Sequence, residues 1–321
     1  MNHKYLCDRA RGAIFSLLKR VRNVSPLPPQ CMFYLFQSMV EPILLYGSDV
    51  WGFSASAGSK LDSVMLSYVR NVLRVKSTTS NVISWGETGL IPMSIKSHIN
   101  VLTYFVRLRD LPNSMVVRKV FSELKMLHEC GFCNWYSKVM ELSRRYDIDI
   151  ENISYKDAKC VFKIKIINDF KQNWLKQLNN GDNNTVLRTY RLFKQQFVME
   201  PYLYKVKEAK YRIAISKLRA SSHLLEIERG RYTRPKTPVV ARLCPNCNVI
   251  EDEEHFLLNC KAYNQDRKTM FWKISTQFTN FTGMESRNKF KLLMSSDDPL
   301  VLNAFGKFIY QAFRCRETLA K

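Results

Sequence analysis

Four residues near the C-terminus have the types and the spacing of a metal site. Cys244, Cys247, His255 and Cys260 form the pattern C-x2-C-x7-H-x4-C. Three thiolates and one imidazole are ligands that Zn²⁺ takes in tetrahedral structural sites. Because protein side chains fill all four positions, none is left for water or substrate. The pattern therefore predicts one structural zinc ion per chain and argues against a catalytic one.

The residues between these ligands predict how the site is built. Cys244 and Cys247 enclose a tight turn that places two sulfur atoms on one side of a metal. The acidic run at 251–254 is typical of a first helical turn, because carboxylates suit the positive end of a helix dipole. His255 then lies within a short helix and Cys260 just beyond it, so that both side chains reach back to the metal.

The segment 201–240, which leads into this motif, is strongly basic. It contains ten Lys and Arg residues but only three Glu, and tyrosines are interleaved with the cations. Cations neutralise phosphates and aromatic rings stack on bases, so this composition favours contact with nucleic acid over a merely solvated face. The predicted contacts are Lys217, Arg219, His223, Arg229, Arg231, Arg234 and Lys236. For His223 we also consider a turn cap or core packing.

The charge of the whole chain points the same way. Its 321 residues include 50 Lys and Arg but only 28 Asp and Glu, a formal net charge of +22. Such an excess attracts polyanions, with nucleic acid first and an anionic membrane surface second. No apolar run is long enough to cross a membrane and no secretory signal opens the chain, so we expect an intracellular protein, nuclear or cytoplasmic, with reduced cysteines.

The periodicity of apolar residues predicts a mainly α fold. Helices are expected over 4–23, 61–75, 95–111, 114–129, 134–146, 155–178 and 185–199, followed by terminal helices in 261–294 and 299–318. A further apolar stretch at 31–50 is expected to break at Glu41-Pro42. The stretches 54–59 and 78–92 are predicted to be loops, and strand structure is expected only around the zinc turn. Trp51 and Trp85 are expected in the core.

Three segments, at 40–52, 217–232 and 243–260, resemble the C-terminal part of LINE-type non-LTR retrotransposon reverse transcriptases. The first is similar to the entry of that family's helical thumb and the third to its zinc knuckle. The resemblance implies five regions. These are a thumb-like helical region at 1–112, a helical connector at 113–200, the basic segment at 201–240, a zinc knuckle at 241–262 and C-terminal helices at 263–321.

The polymerase carboxylates of that family have no counterpart in this sequence. Its palm carries an aromatic-x-Asp-Asp turn that binds Mg²⁺, and the chain is expected to begin after that palm. Asp297-Asp298 has Ser295 in the aromatic position and Pro299 behind it, so we interpret this pair as the cap of the last helix. Cys130 and Cys133 form a lone C-x2-C, predicted to be a buried thiol pair, with a second metal or redox pair as the alternative.

These observations predict a non-enzymatic fragment of a reverse transcriptase that binds RNA or DNA and is stabilised by zinc, with no small-molecule substrate and no membrane partner. The alternative is a zinc-stapled protein–protein interaction module, in which the charge serves solubility or an acidic partner. A third class, an active enzyme, requires carboxylates from elsewhere.

Overall fold

The computed structural model describes residues 3–22, 27–180 and 186–319, and its fold is mainly α, as predicted. The described residues form α1 (His3–Arg22), α2 (Pro29–Met39), α3 (Glu41–Leu44), α4 (Ser48–Trp51), α5 (Ala55–Leu73), α6 (Asn81–Thr88), α7 (Met93–Arg109), α8 (Val116–Glu129) and α9 (Trp135–Arg145). They continue with α10 (Tyr155–Asn179), α11 (Leu187–Tyr190), α12 (Tyr202–Lys205), α13 (Ala209–Arg219), α14 (Glu226–Arg229), α15 (Asn264–Ser275), α16 (Ser286–Ser295) and α17 (Pro299–Leu319).

These helices divide into two compact units, each built from separate stretches of the chain. Unit 1 contains the described residues of 1–24, 34–68 and 91–176, and unit 2 contains those of 25–33, 69–90 and 177–321. Both units are therefore discontinuous in sequence, whereas the five regions implied by the resemblance are consecutive.

Unit 1 is centred on α7. Helix α4 packs against it so closely that a Cβ added to Gly52, at the end of α4, would lie 2.4 Å from the carbonyl oxygen of Ser97 on α7. Only glycine permits this approach. On α7 the ring of Phe105 is surrounded by aromatic side chains, with ring centroids 5.1 Å from those of both Phe121 and Tyr136. These edge-to-face and tilted contacts hold α8 and α9 on α7.

Unit 2 is centred on α17, which packs against α13 and α15. Asp298 caps this helix, because its Oδ1 accepts hydrogen bonds from the backbone N–H groups of Leu300 at 2.8 Å and Val301 at 3.0 Å. The predicted cap of the last helix is confirmed, and Pro299 occupies the first helical position, where its missing N–H costs nothing.

Several other predictions about elements can be compared with the structure. The break at Glu41-Pro42 is confirmed by the end of α2 at Met39, and both Trp51 and Trp85 are buried. The predicted loops at 54–59 and 78–92 are wrong, because α5 already begins at Ala55 and α6 spans Asn81–Thr88. Local composition there favours turns, but burial of Ser84, Trp85 and Glu87 stabilises α6.

Three further predictions are corrected. Over the described part of 185–199 only the four residues of α11 form a helix, because the chain turns instead to bury Phe193 and Phe197. Around the metal motif an isolated bridge between Leu243 and Ile250 is the sole β-pairing in the described residues. The thiols of Cys130 and Cys133 are exposed and not buried, because Gly131, with φ of +88°, turns the chain outward after α8.

No helix within 3–22, 27–180 and 186–319 is both long and apolar enough to cross a membrane.

Candidate metal centre

The four predicted metal ligands lie together in unit 2. One ligand atom each from Cys244, Cys247, His255 and Cys260 lies within 4.8 Å of the others. The Sγ atom of Cys260 is 3.8 Å from that of Cys244 and 3.9 Å from that of Cys247. The four side chains that the spacing singled out can therefore hold one metal ion.

The first two ligands are placed by a tight turn. The carbonyl oxygen of Cys244 accepts hydrogen bonds from the N–H groups of Cys247 at 3.3 Å and Asn248 at 2.9 Å. Asn248 has a left-handed backbone with φ of +53°, a conformation that asparagine tolerates better than most residues. The chain then returns antiparallel to itself, and the N–H of Cys244 donates to the carbonyl of Val249 at 2.7 Å.

The second pair of ligands is placed by a π-helical turn over His255–Asn259, where a short helix was expected. Asp252 begins this turn, because its Oδ1 accepts from the N–H of His255 at 2.8 Å. The N–H of Cys260 donates to the carbonyl of His255 at 2.8 Å, a bond that spans five residues. The wider π turn accommodates one more residue than an α turn, and such turns are frequent at functional sites.

The imidazole of His255 has the properties of a metal ligand. It is buried, and its Nε2 has no hydrogen-bond partner in the described structure. An unsatisfied buried nitrogen costs free energy unless something binds it. Burial lowers the pKa of His255, and nearby Arg267 lowers it further against the opposing effect of Asp252. The ring is therefore neutral at physiological pH, which is the form that coordinates metals.

The three cysteines can all be thiolates only when a cation lies between them. Burial raises the pKa of Cys260 to about 12, and the neighbouring sulfurs of Cys244 and Cys247 add to the rise. Burial also disfavours the Cys247 thiolate, but the N–H of Lys261, 3.4 Å from Sγ, and hydrogen bonds from the other two thiols leave its pKa below the usual range. Three thiolates this close need a positive ion between them, so metal binding releases protons here.

The acidic run before His255 does more than begin a helix. Glu253 is buried and accepts hydrogen bonds from Arg188 at 2.6 Å and Thr189 at 2.9 Å. Glu251 is buried too, and its Oε1 lies 2.7 Å from an Nη1 of Arg316 on α17. These carboxylates therefore attach the metal motif to distant parts of unit 2, a role that no local spacing indicated.

Aromatic packing ties the motif to α17 in the same way. The ring of Phe256, which follows a metal ligand directly, stacks on Phe313 with centroids 5.2 Å apart. Arg267 of α15 donates to the carbonyl oxygens of Leu257 at 2.8 Å and Cys260 at 2.7 Å. The metal motif is thus part of the unit 2 core and not a separate appendage.

Two of the predicted nucleic-acid contacts are placed where they cannot reach a phosphate. Arg219 is buried, and its guanidinium pairs with the carboxylates of Glu87 and Glu200. His223 is buried as well, with Nε2 3.2 Å from Glu253 and Nδ1 accepting from the N–H of Leu225 at 3.3 Å. The prediction of nucleic-acid contact is corrected for both residues, because burial and internal partners occupy their side chains. For His223 the packing alternative describes its position.

The other five predicted contacts lie closer to the surface. Arg231 is half-buried, and its Nε lies 2.9 Å from an oxygen of buried Glu228. Arg229 is exposed and forms a surface pair with Glu226 at 3.3 Å. Lys217, Arg234 and Lys236 are exposed. The described surface therefore retains four exposed cations of the predicted set: Lys217, Arg229, Arg234 and Lys236.

Comparisons of the chain with family models, with curated proteins and with solved structures find no match.

A buried arginine that the sequence analysis did not single out as a contact shapes this basic segment. Arg242 donates to the carbonyl oxygens of Ile227 at 2.7 Å and Thr237 at 3.0 Å, and so holds both ends of the loop that carries Arg234 and Lys236. A Cβ added to Gly230 would lie 2.7 Å from the Nε of Arg242. The arrangement offers a closed metal site beside a loop that presents cations to solvent.

Proposed function

We propose that the metal is Zn²⁺ and that it is structural. In a tetrahedron with metal–sulfur bonds of about 2.3 Å, neighbouring sulfur atoms are about 3.8 Å apart. The two sulfur–sulfur distances of 3.8 and 3.9 Å support this geometry. Thiolates with one imidazole are a donor set that suits zinc, and a fourth protein ligand leaves no open position for catalysis.

We propose further that the chain binds RNA or DNA through the basic surface beside this site. The observation that carries the proposal is that Lys217, Arg229, Arg234 and Lys236 are exposed on the segment that leads into the metal motif, with the loop held by buried Arg242. The net charge of +22 supplies long-range attraction for a polyanion. The resemblance to LINE-type reverse transcriptases supports a role in holding template RNA and target DNA.

The experiment is a salt titration of binding to labelled single-stranded RNA. Each phosphate contact contributes a slope of about −0.7 to a log–log plot of affinity against salt. Changing Arg229, Arg234 and Lys236 to Gln should lower the affinity and reduce the slope by about 2 if each cation contacts one phosphate. A lower affinity at an unchanged slope would mean that these residues act through folding, and an unchanged affinity would place the binding surface elsewhere.

Arg231 provides a matched contrast for this experiment. Its partner Glu228 is buried, so Arg231→Gln leaves a buried carboxylate without its ion pair. We expect this variant to lower the melting temperature more than the triple variant does, because unpaired buried charge is costly and exposed cations contribute little to stability.

The chain is not proposed to polymerise nucleotides by itself. Its adjacent aspartates Asp297 and Asp298 do not form a metal-binding turn, because Asp298 caps α17 and Asp297 lies on the surface near Lys205.

A protein-interaction module is the second candidate, and one observation favours it. Helix α8 exposes several apolar side chains, among them Val116, which is 74% exposed, and Val120, which is 53% exposed. These two residues are four apart and share one helix face. This hypothesis predicts weak RNA binding at physiological salt and a specific protein partner whose capture is lost in Val116→Asp, Val120→Asp.

A further inference from the structure

A cleft in unit 2 lies between α13 and the C-terminal half of α17 and has a volume of about 530 Å³. Ile213 and Ala214 of α13 line it on one side and Tyr310 and Phe313 of α17 on the other. Tyr310 and Phe313 are three residues apart, so they share one helix face. A volume of this size is in the range of sites for small organic groups.

The aromatic wall of the cleft is backed by fixed neighbours. Phe313 stacks on the buried ring of Phe256, with centroids 5.2 Å apart. Tyr310 lies edge-on to Tyr211, with centroids 5.9 Å apart. Both Tyr310 and Phe313 are nevertheless only partly buried. Both rings face the cleft, and their orientation is fixed before any ligand binds.

The mouth of the cleft is cationic. Lys210 and Lys217 lie seven residues apart on one face of α13, and Arg314 lies on α17. All three are exposed, and no described carboxylate lies within ion-pair distance of them. Glu317 is the one acidic residue among those that line the cleft. Arg316, which also lines it, is already paired with Glu251 and Glu226.

We infer that this cleft holds one nucleotide unit of a single-stranded nucleic acid. The base stacks against Tyr310 and Phe313, and the flanking phosphates contact Lys210, Lys217 and Arg314. The inference rests on the proposed nucleic-acid-binding function and adds to it a site for an unpaired base. Flat ring surface below a cationic rim matches a base with its phosphates, whereas an acidic peptide supplies charge without a flat ring.

The polar groups in the cleft indicate that it does not select one base. Ser222 Oγ accepts a hydrogen bond from the N–H of Lys76 at 2.8 Å. Both ring nitrogens of His223 are engaged, by Glu253 and by the N–H of Leu225. With these groups engaged, binding depends mainly on stacking and phosphate charge, which any base with its phosphates can supply.

The test uses the full chain and two labelled oligonucleotides of equal length, one an oligouridylate and the other carrying abasic nucleotides at its centre. The abasic strand retains every phosphate, so the difference in affinity between the strands reports the bases alone. For the wild-type chain we expect the oligouridylate to bind about tenfold more tightly, which corresponds to about 1.4 kcal/mol of stacking.

Tyr310→Leu removes the ring and keeps an apolar side chain. In this variant we expect the preference for the oligouridylate to fall, because one of the two stacking rings is removed while Phe313 and the phosphate contacts remain. Circular dichroism melting shows whether the variant is folded. Equal affinity of the two strands for the wild-type chain, or an undiminished preference in a folded Tyr310→Leu, would overturn the inference.

The cationic rim is tested by changing Lys210, Lys217 and Arg314 to Gln. The salt slope on single strands should fall by about 2, because each phosphate that is no longer neutralised reduces it by about 0.7. The control changes Lys268, Lys273 and Lys291 to Gln, which removes the same charge from exposed positions on α15 and α16. If the control reduces affinity and slope as much as the rim variant, general charge and not the cleft holds the strand, and the inference fails.

The outcomes also separate this inference from the function on which it rests. If the wild-type chain binds neither strand, both proposals fail. If it binds and the rim variant binds equally well, the cleft assignment alone fails. If a polyglutamate peptide of matched charge displaces the oligouridylate at equal concentration, the cleft recognises charge without the base, and the inference is again overturned.

Discussion

Arg219 and Glu87 are 132 positions apart in the sequence and form a two-pronged ion pair inside unit 2. The guanidinium Nη2 lies 2.8 Å from Oε1 of Glu87 and Nε lies 2.9 Å from Oε2, and the two side chains are 2% and 1% exposed. Glu200 contacts the same guanidinium at 2.6 Å, and Tyr202 donates to Glu87 at 2.7 Å. A charged network this deep is stable only while every member keeps its partners.

Replacing Arg219 by Met should therefore destabilise unit 2 by about 3–5 kcal/mol, because buried Glu87 loses the cation that it pairs with and Glu200 keeps only Lys194. Urea unfolding at neutral pH measures the change. The control Lys207→Met removes an exposed cation just before α13 and should change stability by less than about 0.5 kcal/mol. Similar small effects for both variants would show that water or other groups compensate the carboxylates.

Loss of a metal ligand should loosen unit 2 as a whole. The sequence alone predicts that Cys247→Ser unfolds only the metal motif. In the structure, however, Phe256, Glu251 and Glu253 join the motif to the rest of unit 2. We expect about one zinc per wild-type chain, less in the variant, and faster hydrogen exchange over 186–319 but not over 91–176. The exposed thiol of Cys160 supplies the control Cys160→Ser, with zinc content and exchange unchanged. Changes confined to 243–260 would instead support the prediction that only the metal motif unfolds.

The buried His98 in unit 1 should make stability fall in mild acid. Burial lowers its pKa from 6.5 to about 4, and Arg145 contributes to this decrease; its Nδ1 lies 2.7 Å from the hydroxyl of Tyr146. Between these pKa values the unfolded chain binds a proton that the folded chain does not, so stability decreases as the pH falls from 6.5 towards 4.

At pH 5 this linkage should cost about 2 kcal/mol relative to neutral pH. His98→Asn keeps a polar partner for Tyr146 but cannot titrate in this range. Urea midpoints of both proteins at neutral and acidic pH give the comparison. If the wild-type chain loses no more stability than the variant, His98 already carries its proton in the folded chain or gains water on protonation.

Two glycines should respond to alanine in opposite directions. Gly89 ends α6 with φ of +64°, and an added Cβ would lie 2.6 Å from the backbone nitrogen of Met199. Gly89→Ala is therefore expected to destabilise by at least about 1 kcal/mol through backbone strain and the clash. Gly12 lies within α1 with no atom near its would-be Cβ, so Gly12→Ala should stabilise by up to about 1 kcal/mol. Thermal melting of the two variants checks the signs.

The purified chain should incorporate no nucleotide on any primed template with Mg²⁺ or Mn²⁺. We expect this because Asp298 caps α17 and because the sequence contains no palm-like aromatic-x-Asp-Asp motif. A primer-extension assay with an active reverse transcriptase as positive control measures this. Extension that persists after repurification, and that changes with Asp298→Ala, would contradict it.

The sequence by itself determined the parts of this protein that depend on neighbouring residues. The spacing of Cys244, Cys247, His255 and Cys260 was sufficient to predict one cluster of ligands, because a tight turn and a short helical turn bring them together locally. The cap at Asp298 and the long helices followed from capping preference and apolar period for the same reason.

The tertiary structure decided which charges are inside. Arg219 was predicted to contact phosphates, but it meets Glu87 from a distant segment, and the segment of α6 that carries Glu87 had the composition of a loop. The side chains of His223 and Glu253 likewise come from separate segments and meet only in the folded chain. Burial and ion pairing depend on which distant segments meet in the folded chain, and neither the spacing nor the composition of one segment contains that information.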